Sequence, residues 1–244
     1  MTQSVEQDIH RGERFKFGAN WSRYIDTLDE VRIGRAEATV KDMLGVTNLH
    51  GKTFLDIGSG SGLFSLVAAR MGAAVRSFDY DPQSVSCTKE VKRRYSTEES
   101  PWEIEQGSVL DREYLSSLGE WDVVYSWGVL HHTGQMWQAL ENVTSLVRSG
   151  GQLYIAIYND QKGTSRRWLK IKKMYNRHVW LRPILLVLTF LEAFGMNLVV
   201  DAVKLRPFRS IRHYYKERGM SPYRDLLDWV GGLPFEVAAP EAIF

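Results

Sequence analysis

The sequence has almost no cysteine: one thiol, Cys87, in 244 residues. That excludes an internal disulfide and points to a reducing cytosol. The first 30 residues are polar and charged rather than apolar, so no secretory leader is visible and a cytoplasmic location is expected. No internal repeat or low-complexity segment is present, which excludes a repeat array. A dominant charge of one sign is missing too, since the formal net charge is +2. That small sum hides an asymmetry. Residues 161–220 hold 14 of the 31 Lys/Arg and three of the 29 carboxylates (Glu192, Asp201, Glu217), so the segment is near +11 and the remainder near −9. Such a split suggests an anionic partner for the segment, although a charge run is as often only a solvated helix face.

Apolar residues are plentiful. At 44% they suffice for a full core in one elaborated domain or two small ones. The organising stretch is Thr53–Asp81, TFLDIGSGSGLFSLVAARMGAAVRSFDYD. Phe54, Leu55 and Ile57 read as a strand buried on both faces. Gly58, Gly60 and Gly62 permit a tight turn and a close backbone approach to a ligand. Leu63, Phe64, Leu66, Val67 and Ala68 recur at helical spacing up to a stop at Gly72. Ala74–Phe78 is a second strand, and Asp79 stands at its end. This is a βαβ unit with a ligand crevice at the carboxyl ends of its strands. A dinucleotide fingerprint needs glycine at the sixth position from Gly58, where this chain has Leu63.

The pattern from Asp56 is D-x-G-x-G-x-G, which resembles motif I of the class I methyltransferases that use S-adenosylmethionine (SAM) and release S-adenosylhomocysteine. The resemblance covers residues 45–160 as a series of ordered motifs, and is nearest to the ubiquinone-biosynthesis, or type 11, group. It implies an α/β fold with a doubly wound, mainly parallel sheet. It implies that Asp56, Gly58, Ser59, Gly60 and Gly62 form the turn under the methionine part of SAM, and that Asp79, with Tyr80 beside it, binds the ribose hydroxyls. Ser108, Val109 and Leu110 fall where the family reads adenine. There the family often carries an acid directly after the glycine, whereas this chain has Ser108, and Asp111 also suits a helix N-cap. Trp121–Trp127 matches the fourth strand, with Trp127 over the amino acid moiety. The loop Gly128–Thr133 resembles one in which a histidine lies near the acceptor. Ser149-Gly150-Gly151 followed by Gln152–Tyr158 matches the family's fifth strand, after an amphipathic helix over Met136–Val147.

Outside that core the reading rests on the residues. Residues 1–14 suggest a loosely packed start. Phe15–Trp21, extended by Tyr24 and Ile25, is an aromatic cluster that either anchors the tail or roofs the site, with Trp21 over the cofactor. Val31–Leu44 has helical spacing. Asp81-Pro82 opens a further helix as N-cap and first residue, with Cys87 inside it as a small buried filler. Arg166–Val179 is basic with aromatics. Pro183–Leu205 is nearly continuous apolar, approaching a membrane span in length, but Glu192 and Asp201 make spanning costly. It reads as a buried or interfacial helix pair broken near Gly195. Met220-Ser221-Pro222 opens another helix ended by Gly231-Gly232, and no sixth or seventh strand is evident. The expected divisions are an aromatic cap segment over 1–35, a SAM-binding core over 36–160, a helical lid insertion over 161–220, and a C-terminal segment over 221–244 that leaves the core incomplete.

Methyl transfer from a sulfonium needs alignment and exclusion of water. A base is required only for a hydroxyl or a protonated amine. His132 and His131 are the candidates, each also readable as a structural histidine bonded to a loop carbonyl, and Tyr24, Tyr158 and Asn159 are candidate wall residues. The reading is a SAM-dependent methyltransferase acting on a small, amphiphilic or anionic acceptor, most plausibly at oxygen, with no metal. Residues 161–220 are expected to touch a membrane surface, which makes the protein peripheral to a membrane. Nucleic acid fits less well, because the basic residues flank an apolar helix instead of lining a stacking surface. An RNA methyltransferase and a non-catalytic SAM-binding subunit remain the alternatives. The oligomeric state is not legible.

Overall fold

The structure is a computed structural model that describes residues 2–97, 100–218 and 222–243. It divides into two compact units. One comprises residues 1–5, 16–160 and 234–244, and the other residues 6–15 and 161–233.

The first unit is built on a five-stranded, all-parallel sheet in the order β3-β2-β1-β4-β5. The strands are β1 (Thr53–Ile57), β2 (Ala74–Asp79), β3 (Trp102–Gln106), β4 (Trp121–Trp127) and β5 (Val147–Ala156). Phe54, Leu55 and Ile57 of β1 are wholly buried, as an apolar run in the centre of a doubly wound sheet must be. The order reverses between β1 and β4, which opens the crevice of the fold at their carboxyl ends. Asp122 ties these two strands at their other end. Its carboxylate accepts from the Thr53 N–H and hydroxyl, both at 2.9 Å.

The helices follow from their caps. In chain order they begin with α1 (Thr2–His10), α2 (Phe17–Ile25), α3 (Glu30–Leu44), α4 (Leu63–Arg70), α5 (Pro82–Tyr95), α6 (Arg112–Ser116) and α7 (Met136–Thr144). Asp29 caps α3 by accepting from Arg32 N–H, and Asp81 caps α5 by accepting from Gln83 N–H, with Pro82 next. Asp111 caps α6 through Tyr114 N–H, so the capping alternative for this acid holds. Cys87 is buried in α5 beside the Ser22 hydroxyl at 3.3 Å, as a small filler should be.

Three expectations need correction. The start of the chain is a helix, with Val5 of α1 buried, where a mobile start was expected. Helix α7 stops at Thr144, and β5 begins at Val147 instead of Gln152. Gly150 and Gly151 therefore lie inside the strand at its register shift against β4. A Cβ on Gly151 would sit 2.9 Å from the Trp121 and Asp122 carbonyl oxygens, so the pair marks a close backbone approach and not a helix stop. Beyond β5 no sixth strand forms among the described residues. A single parallel bridge joins Asn159 to Ala238, held by Ala238 N–H to Tyr158 O and Asp160 N–H to Ala238 O, both 3.0 Å.

The second unit contains α8 (Gly163–Arg177), α9 (Arg182–Val203), α10 (Arg209–Arg218) and α11 (Pro222–Gly231). Its core gathers Tyr175, Leu185, Leu226 and Val230, with Phe15, Trp168, Phe190 and Trp229 packed against them. The third correction is here: α9 is one helix and not a pair broken at Gly195. An interior glycine costs only about 1 kcal/mol, too little to break 22 residues of this composition. Met220 and Ser221, assigned above to the start of the next helix, lie outside the described residues.

Candidate functional site

The site grows from the turn after β1. Gly58, Gly60 and Gly62 all have positive φ, at 78°, 56° and 81°. Space constrains them as well. A Cβ on Gly58 would meet the Val129 side chain at 2.5 Å, and one on Gly62 would meet Thr88 Cα at 2.8 Å. The turn is laced to β2 by Gly58 N–H and Ser59 N–H, which donate to Phe78 O at 2.8 and 3.1 Å. Ser59 Oγ lies 2.9 Å from Thr88 Oγ1 of α5.

Asp79 faces this turn from the end of β2. Its carboxylate accepts from Gly60 N–H and Asp81 N–H, both at 2.9 Å. These two bonds fix the carboxylate at the edge of the turn. Tyr80 follows, its carbonyl accepting from Gln106 Nε2 at 3.1 Å. Gly107 N–H reaches Asp79 O at 3.1 Å, which brings the loop after β3 to the same edge. In that loop Val109 is buried, Ser108 Oγ accepts from Leu110 N–H at 3.2 Å, and Asn142 Nδ2 holds Val109 O at 2.9 Å. Trp127, half exposed at the end of β4, stacks on Tyr125 and Tyr154.

Asp56 stands apart from the crevice-facing groups. It is 3% exposed and accepts from the Ser65 hydroxyl, which in turn lies 2.7 Å from Ser77 Oγ. Burial pushes its carboxyl up to about 7, against the opposing effect of the Ser65 bond. That bond ties β1 to α4.

Helix α2 completes this side. Gly18 N–H donates to Asp81 Oδ2 at 3.0 Å and a Cβ there would overlap that oxygen at 2.5 Å, so α2 is drawn onto the start of α5. Trp21 is thereby laid over the glycine turn. A Cβ on Gly60 would touch its indole nitrogen at 3.0 Å. The N-terminal aromatics thus pack on the main domain, with Trp21 against the turn. Tyr24 is buried edge-on to Trp21.

The loop after β4 supplies the histidines, both buried in a short 3-10 turn, Leu130–His132. His132 Nδ1 is 2.5 Å from Pro234 O. A carbonyl only accepts, so Nδ1 carries the proton and the lone pair lies on Nε2. The ring packs on Phe17, with centroids 4.9 Å apart, and edge-on to Tyr158. His131 packs against Tyr158 with the rings tilted and their centroids 4.0 Å apart. The C-terminal segment closes around both: Phe235 packs on Tyr158, Glu236 N–H donates to His131 O, and the Glu236 carboxylate accepts from Met136 N–H at 3.0 Å. Burial raises the Glu236 carboxyl from its ordinary value. Pro234, Phe235 and Glu236 escaped the sequence reading, because partners about a hundred residues away leave no local signature.

The residues fit the cofactor that the motifs imply. An anchored carboxylate, a turn of three glycines and an indole meet at one strand edge. Among the described residues no cluster of three or more metal-ligating side chains occurs. Residues 55–153 match the family model described as a methyltransferase domain. A ubiquinone biosynthesis O-methyltransferase of Xanthomonas campestris is 28% identical over 166 residues, which is 64% of this chain and 65% of that protein. One from Parvibaculum lavamentivorans is 34% identical over 112 residues, 43% of this chain and 40% of the relative. This chain thus spans about 65% of the length of the first of these relatives and less of the second. The crystal structure of magnesium protoporphyrin IX methyltransferase from Synechocystis, with S-adenosylhomocysteine bound, superposes with a TM-score of 0.50 at 18% identity, covering 66% of this chain and 76% of that one. That likeness supports the fold, the family match supports the domain, and the glycine turn with Asp79 supplies the matching site. The doubly wound core of this chain thus carries, over residues 55–153, the likeness to a methyltransferase domain.

Proposed function

We propose that this chain moves the methyl group of SAM to an oxygen of a small acceptor of amphiphilic or anionic kind, in the cytoplasm. The observation that carries the reading is the Asp79 carboxylate, pinned by Gly60 N–H and Asp81 N–H at the crevice where β1 and β4 diverge. Asp79 would take the ribose hydroxyls, the Gly58–Gly62 backbone would lie against the amino acid end, and Trp21 would cover it. SAM supplies a methyl carbon already activated by a sulfonium leaving group.

The chain's own work is then positioning and proton removal. An attacking hydroxyl must shed its proton as the new C–O bond forms. His132 Nε2 is the acceptor for that proton, since Pro234 O fixes the proton-bearing nitrogen as Nδ1. The resulting imidazolium keeps its Nδ1–H bond to the same carbonyl. Phe17, Tyr158 and Phe235 wall this position and limit water. Oxygen as the acceptor atom is supported by this base and by the names of the relatives, which are O-methyltransferases.

Transfer of radiolabelled methyl from SAM to a panel of hydroxyl, amine and activated-carbon acceptors tests the reading. Label in hydroxyl acceptors, at a rate that falls sharply in a His132→Ala variant, is expected. Label only in amine or carbon acceptors, or an unchanged rate in the variant, overturns the oxygen and base assignments.

A further inference from the structure

The methyl-transfer reading makes no use of the outer face of α9. One side of this helix packs inward, through Leu185, Phe190 and Phe194. The other side is equally apolar. Ile184, Val187, Leu188 and Leu191 follow one another at helical spacing, Val199 and Val203 continue outward, and each is more than half exposed. The stretch Val179–Val203 has the length and apolar composition of a membrane segment, yet little of it is buried.

The two carboxylates that make spanning costly are both partnered within the helical unit. Glu192 pairs with Arg167 of α8. Asp201 is turned inward and accepts from Ser210 N–H at 2.7 Å, at the start of α10.

The ends of the face carry a second, independent set of features. At one end Trp180 is 71% exposed. At the other, Leu205 and Phe208 hold left-handed backbone at φ 52° and 60° and present their side chains to solvent, Leu205 at 89% exposure. Such a conformation is costly for a bulky residue. Beside them Arg206, Arg209, Arg212 and His213 line a cleft of about 440 Å³. Lys204 adjoins it. Apolar stripe, terminal tryptophan and neighbouring arginines match the layers of a lipid interface in turn: acyl boundary, carbonyl zone, phosphate plane. The packed inner face favours a helix lying in the plane, because spanning would strip Leu185 and Phe194 from their own cluster.

We propose that α9 and the 205–208 turn dock this chain on the surface of an anionic phospholipid bilayer, with the arginine cleft holding headgroup phosphates. The proposal concerns the helical unit alone and stands or falls independently of methyl transfer.

Vesicle flotation of the full chain tests it. The wild type should float with mixed phosphatidylcholine–phosphatidylglycerol vesicles, bind phosphatidylcholine alone far more weakly, and be released by salt. The exposed pair L188E/L191E should lower partitioning at least tenfold. R206Q/R209Q/R212Q should lower it on the anionic vesicles by on the order of a hundredfold, at roughly fivefold per basic side chain. An unchanged unfolding temperature and SAM affinity would show that these surface variants fold. The wild-type comparison of the two vesicle types decides the matter if they do not. Wild-type protein that stays with neither vesicle at low salt overturns the proposal. So does binding that resists both salt and alkaline carbonate, which would mean a spanning helix. So does a dimer dispersed by L188E/L191E without any flotation, which would mean that a second copy covers the face.

Discussion

In β1, Phe54, Leu55 and Ile57 lie wholly buried between neighbouring strands and helices, whereas in α9 six aliphatic side chains of the same kind stand more than half exposed. The two runs differ in what their geometry can hide. A short strand at the centre of a doubly wound sheet is covered on both faces, so every apolar residue is used by the fold. A helix of 22 residues packed along one side keeps the rest of its circumference outward. In the core the sequence's apolar residues are accounted for by folding, and what remains at the surface is the chemistry of the turn. In the helical unit the surplus apolar surface is itself the feature to explain.

The sharpest way to test this contrast is to disable one region and read the other. Asp79→Ala should weaken SAM binding by about a thousandfold, since it removes two charge-assisted bonds and leaves Gly60 N–H without its acceptor. The surface pair L188E/L191E should leave that affinity within a factor of two. Comparable losses in both would mean that the division of labour is false. Next in size, His132→Ala should slow transfer to a hydroxyl acceptor about a hundredfold with SAM affinity nearly unchanged, the signature of lost base catalysis.

Glycines carry the comparison into stability. Gly62→Ala must accept φ 81° and a 2.8 Å approach to Thr88 Cα, and should destabilise the chain by about 2–3 kcal/mol in denaturant unfolding. Gly195→Ala, in α9 with nothing within 4 Å of its Cβ, should stabilise by about 0.5–1 kcal/mol. Equal effects at both sites would contradict the view that only the core glycines are conformationally required.

The smallest effects concern one buried ionisable group in each unit. Burial raises Asp56 to about 7, so the folded state holds a proton that the unfolded chain releases, and stability falls as pH rises from about 4 to 7. Lys172, buried against the Trp229 ring, is lowered to about 7 by burial, so stability rises as pH rises from about 7 to 10.5. Asp56→Asn should flatten only the acid slope and Lys172→Met only the alkaline one. Thermal unfolding as a function of pH measures both.

Legibility in the sequence followed the same division. The glycine turn, Asp79, the Asp81-Pro82 start and the Asp111 cap are local devices whose spacing is their signature. Gly150-Gly151 misled because a helix stop and a close strand approach use the same residue for different reasons. Gly195 misled because a glycine in a long helix is tolerated. The anchoring of α2 by Gly18 on Asp81, which sets Trp21 against Gly60, and the Pro234 carbonyl that orients His132 had no signature at all. Whether an apolar helix is covered depends on its neighbours, which periodicity does not encode.

The most direct test of the account is calorimetric titration of the chain with SAM, S-adenosylhomocysteine and NADH, repeated on Asp79→Ala. Micromolar binding of the first two, no binding of NADH, and loss of both in the variant is the predicted result. Binding of NADH, or SAM binding that survives Asp79→Ala, would contradict the assignment of the glycine turn and its carboxylate as the cofactor site.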